Sequence, residues 1–94
     1  MIDLALFSSG DVERLLAARI RAARARKGWS QRELAQRAGL GVATVARLER
    51  SGRGQVASLI LIAAALGRLR DFETILAADE PRSLEELRRL RDSR

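Results

Sequence analysis

The sequence predicts an all-α fold: a bundle of about five helices, a short C-terminal helix and a short extended arm at the N-terminus. Three observations predict it. Hydrophobic residues make up 47% of the chain but aromatics only 3%, so the core must be Leu, Ile, Val and Ala, which suits closely packed helices. The β-branched alternation of a sheet is nearly absent, whereas apolar residues recur three and four apart. Ser30 and Glu33 form a capping box that opens one such stretch, and Gly39 closes it. With 94 residues the chain makes one domain, near the size at which a partner helps burial.

The elements follow in chain order. In residues 1–10, Ile2, Leu4 and Leu6 alternate with Asp3, Ala5 and Phe7, which suggests an arm lying on the domain or a short strand pairing with another chain. A first helix is expected over about 11–27, capped by Ser9 or Asp11, with Asp11 and Glu13 in its first turn. Val12, Leu16, Ile20 and Ala23 make its inward stripe, and Arg14, Arg21 and Lys27 point outward. Gly28 ends it, and Trp29 packs between the first two helices.

The second helix starts at the Ser30 cap and the third covers about 41–50, with Leu34, Ala38, Val45 and Leu48 as their shared apolar face. Ala35 is small where the two must cross closely. Gly39 takes the positive φ of the turn, where other residues are strained, and Leu40 plugs the corner. On the third helix Val42, Ala43, Ala46, Arg47 and Arg50 face outward. A flexible loop, 51–54, brings Arg53, a phosphate-seeking side chain.

The fourth helix, about 56–66, is apolar nearly all round, and burying every face of a helix in so small a chain needs a second molecule. Leu59, Ile60, Leu61 and Ile62 are therefore candidates for a dimer interface. After Gly67, the spacing of Leu69, Phe72, Ile75 and Leu76 suggests a short amphipathic fifth helix before Pro81, with Phe72 and Ile75 flanking the same seam. Ser83 and Glu86 form another capping box, opening a last helix that carries Leu84, Leu87 and Leu90.

Charge is segregated. Of the net +6, residues 11–54 carry +7 while residues 55–94 are neutral, so the positive field belongs to the half holding the second and third helices, as a phosphate-binding surface requires. Without Cys, His or Tyr the chain lacks disulfides, zinc ligands and the usual proton shuttles, so no enzyme, metal or cofactor is expected. The longest apolar run is far short of a membrane span and no basic leader precedes it, so a cytoplasmic protein is expected.

Residues 31–50 resemble the helix-turn-helix pattern: Ala at the fifth place (Ala35), Gly at the ninth (Gly39), and apolar residues at the fourth, eighth, tenth, fifteenth and eighteenth (Leu34, Ala38, Leu40, Val45, Leu48). An αα-hairpin that only packs also fits Ala, Leu and Gly at helical spacing, but all the constraints met together favour DNA binding. More narrowly, Gly28-Trp29-Ser30-Gln31-Arg32-Glu33-Leu34-Ala35 and Arg47-Leu48-Glu49-Arg50-Ser51 resemble the lambda-repressor-like, or XRE, family. The resemblance divides the chain into an arm (1–10), a helix-turn-helix DNA-binding domain (11–67) and a C-terminal helical extension (68–94).

It implies a sequence-specific regulator of transcription that binds double-stranded DNA as a homodimer on an inverted-repeat operator. Gln31, Arg32, Arg53 and the first amides of the second helix would hold phosphates. Gly41, Val42, Ala43, Thr44, Ala46, Arg47 and Arg50 would face the major groove. Two departures bear on this. Relatives often have a Ser or Thr cap at Gly41, and Gln, Asn or Arg at Val42 and Ala43. The last two can read only shape and thymine methyls, which leaves Arg47 to pair with a guanine. By position in the family, Arg24 should pair with Glu49. The layout beyond the third helix also resembles small HipB-like antitoxins, which repress their own promoter and bind a HipA-type kinase toxin.

Overall fold

A serine two residues before the expected start opens the first helix, α1 (Ser9–Arg26). The Ser8 hydroxyl accepts the Asp11 amide, and the Asp11 carboxylate accepts the Ser8 amide, each at 3.1 Å. The cap is therefore Ser8, not Ser9 or Asp11, and Asp11 is the returning member of the box. The computed structural model describes residues 8–78 and 84–92, so the expected N-terminal arm lies outside the described residues.

Three helices follow: α2 (Gln31–Ala38), α3 (Val42–Ser51) and α4 (Val56–Ala65). Ser30 caps α2 by accepting the Glu33 amide at 3.0 Å, while the Glu33 carboxylate accepts from Arg37 at 2.9 Å. Gly39 ends α2 in the left-handed region, at φ 70°, which returns the chain sharply into α3. Gly41 caps α3 with no side-chain hydrogen bond, and its carbonyl accepts the Thr44 and Val45 amides. Val45 and Leu48, three residues apart in α3, are buried against Leu34, Ala35 and Ala38 of α2. Ile20 from α1 and Ile62 and Leu66 from α4 complete the core, with Trp29 and Leu40 packed on its edge.

Three expectations need correction. Val12 does not face inward but is 41% exposed; Ala17 and Ile20 are buried instead. The helix is turned so that Arg24 meets Glu49, and Ala17, seven residues before Arg24, lies on the same side of α1. Ile62 is no interface residue, since at 1% exposure it is core, and Leu59 packs against that core. The apolar α4 thus has two faces: one buries Ser58, Ile62 and Ala63, the other exposes Val56, Ile60 and Leu61.

The third correction concerns the fifth helix. Residues Leu69–Phe72 form a single 3-10 turn, and Leu76 takes φ 55° with its side chain fully in solvent, so no α-helix runs through them. A segment this short gains too few hydrogen bonds to repay helix nucleation without a buried face. Phe72 and Ile75 lie beside Leu59, Ile62 and Leu66, on the opposite side of α4 from Ile60 and Leu61. The final helix, α5 (Leu84–Asp92), forms as expected, with Leu87 and Leu90 half exposed; its proposed cap, Ser83, lies outside the described residues. Among the described residues there is no β-strand.

Candidate nucleic-acid interface

The outward side of α3 is built by exclusion. Because Val45, Leu48 and Glu49 are buried, Val42, Ala43, Arg47 and Arg50 are left on the exposed face, while Thr44 and Ala46 sit half-buried on its flanks. The face therefore presents two guanidinium groups and small apolar side chains. That surface can donate hydrogen bonds to guanine or phosphate and lie against a thymine methyl. Gly41 and Arg32 are exposed as well.

The rear of α3 is fixed by Glu49, whose side chain is 2% exposed. Arg24 Nε donates to Glu49 Oε2 at 2.6 Å and Arg24 Nη2 to Oε1 at 2.9 Å. Arg24 Nη1 donates to the Trp29 carbonyl at 2.8 Å, so one guanidinium joins α1, the α1–α2 turn and α3. The hydrogen-bonded carboxylate raises the Arg24 pKa above its usual value, against the opposing effect of burial. Gln31 Nε2 donates to Glu49 Oε1 at 3.2 Å, so the residue expected on a phosphate is tied to this network.

Sequence reasoning missed Arg21. Its spacing points it outward, yet its Nη1 donates to the Glu49 backbone carbonyl at 2.5 Å, near the end of α3 where carbonyls lack helical donors. Its place three residues before Arg24, on the same side of α1, was the available signal. Trp29 has a second role too: Arg37 lies 4.3 Å from its ring centroid and Lys27 5.6 Å.

The loop after α3 approaches α1 at close range. Gly52 has φ 72°, and a Cβ there would fall 2.0 Å from the Glu13 carbonyl oxygen. Nearby Arg53, exposed as expected, pairs with Glu13 at 3.2 Å. A phosphate contact by Arg53 would compete with that pair. The described residues contain no group of side chains that could hold a metal ion, and no helix long and apolar enough to cross a membrane.

A family model described as helix-turn-helix matches residues 20–72, more than half of the chain, taking in the C-terminal part of α1 and all of α2, α3, α4 and the 3-10 turn. No curated protein and no solved structure matches the chain.

Proposed function

Because the chain belongs to the helix-turn-helix family, in its lambda-repressor-like (XRE) branch, we propose that it is a sequence-specific regulator repressing its own promoter as a dimer. A domain of this family binds DNA and regulates; it is not typically enzymatic. The observation that carries the proposal is the division of α3 into two sides. Glu49 anchors its rear to α1 and α2, leaving Val42, Ala43, Arg47 and Arg50 clear on its front. In the proposed complex α3 enters the major groove, Arg47 donates to a guanine, and Arg32, Arg50 and the α2 amides take phosphates.

The dimer is supported by Val56, Ile60 and Leu61, which are 70%, 37% and 44% exposed along one face of α4. Covering apolar surface stabilises by about 25 cal/mol per Å², and pairing two copies there hides all six side chains. A twofold pair must hold its two α3 helices roughly 34 Å apart to reach successive major grooves, so the site should be an inverted repeat. Selection from random duplex DNA tests this. Enrichment of an inverted repeat supports the proposal, and recovery of unselected sequence by a folded protein refutes it.

A further inference from the structure

Residues of α1, of α4 and of the segment after it line a half-open trough of about 570 Å³, within the roughly 300–1,000 Å³ typical of small-molecule sites. Its floor is Leu16, Ile20, Ile62 and Leu66, and Phe72 and Ile75 form one wall. At the C-terminal end of α1 the trough runs into a smaller hollow, about 290 Å³, through the shared residues Ala23, Arg26, Leu66 and Arg68. Among the described residues that hollow is lined by three cations, Arg26, Lys27 and Arg68, and by no acid. The one acid among the described residues of the trough, Asp71, is paired with Arg68 at 3.0 Å. Arg26 and Arg19 have no acidic partner among the described residues, and their seven-residue spacing puts both on one side of α1.

We infer that this pair of cavities binds a single-chain amphiphilic carboxylate. Its head sits in the hollow of Arg26, Lys27 and Arg68, and its chain lies over Leu16, Ile20, Ile62 and Leu66. The chemistry follows from the division of the walls. An apolar trough rewards burial of a hydrocarbon chain, while adjacent cations around one mouth favour a carboxylate over a neutral or cationic head.

The full chain titrated with submicellar decanoate tests this, followed by amide chemical shifts and calorimetry. Saturable one-to-one binding is expected, with shifts centred on Ala23, Ala63 and Leu66. Decanol, decyltrimethylammonium and acetate should each bind at least about tenfold more weakly, because each lacks either the charge or the chain. Arg26→Glu should cost decanoate about tenfold without loss of fold, and Ile75→Ser, on the exposed wall, should lower affinity independently. Absence of binding overturns the site. Decanoate binding that is unchanged in both variants overturns it as well. Association with anionic phosphatidylglycerol vesicles, without binding of monomeric decanoate, assigns the cations to a lipid surface and also overturns it.

Discussion

Arg24 and Glu49 face each other across α1 and α3 as a two-point pair, 2.6 and 2.9 Å between nitrogen and oxygen, with Glu49 almost wholly out of water. Removing one partner leaves the other charge buried and uncompensated. Arg24→Met should therefore cost about 3–5 kcal/mol, and Glu49→Leu a similar amount. The double variant should lose less than the sum of the two. Equilibrium urea unfolding of the three proteins checks it; additive losses would mean that the two side chains do not act as a pair.

Gly52 and Gly28 share a left-handed φ, 72° and 73°, but differ in their surroundings. Gly28→Ala meets open space and should cost only the backbone term, about 1–2 kcal/mol. Gly52→Ala also drives a methyl into the Glu13 carbonyl, and its cost should exceed that of Gly28→Ala by at least about 1–3 kcal/mol. Thermal unfolding of the two variants side by side measures the difference.

The sequence revealed what local spacing and caps determine. Ser30, Gly39 and the buried Leu34, Val45 and Leu48 are each specified within a few residues of themselves, and all took their expected places. The Arg24–Glu49 pair, 25 residues apart, came from the family resemblance rather than from spacing. What spacing could not give is rotation about a helix axis. Val12 and Ala17 both fit an inward stripe on α1, and only the Arg24 pair decides between them. Helix α4 posed the same difficulty more severely, since an all-apolar sequence has no polar face to say which way Ile62 turns. At the site, Arg47 was legible as an exposed residue, whereas the use of Gln31 and Arg21 by Glu49 depends on tertiary placement.

Asp11 has its pKa lowered below 3.8 by hydrogen bonds from Ser8, aided by Arg14. A carboxylate with a depressed folded pKa stabilises fully above its unfolded value and loses that contribution as pH falls through the folded one. The α1 cap should thus be intact above about pH 4 and weaken as the pH is lowered from there. Asp11→Asn should remove that part of the acid dependence. Amide exchange in the first turn of α1 reports it, and an unchanged acid profile in the variant would rule the cap out as its source.

The exposed and buried faces of α4 predict opposite outcomes for similar substitutions. Ile60→Glu and Leu61→Glu should leave a folded monomer, while Ile62→Glu should unfold the chain. Sedimentation at micromolar concentration, with circular dichroism alongside, separates them. Folded dimers from both Ile60→Glu and Leu61→Glu would move the seam away from this face.

Phosphate contacts make affinity depend steeply on salt. If about six phosphates are contacted per dimer, binding should fall on the order of a thousandfold between roughly 50 and 200 mM salt. A flat profile would contradict a surface built on the basic residues of α1, α2 and α3.

In the proposed function the front of α3 reads bases, with Arg47 as its hydrogen-bonding reader. The most direct test is the affinity of wild type and Arg47→Ala for a selected duplex and for a scrambled duplex, at one fixed salt concentration. The substitution should cost roughly 1–3 kcal/mol on the selected duplex and much less on the scrambled one. An equal loss on both would make Arg47 a phosphate contact and contradict base readout by α3.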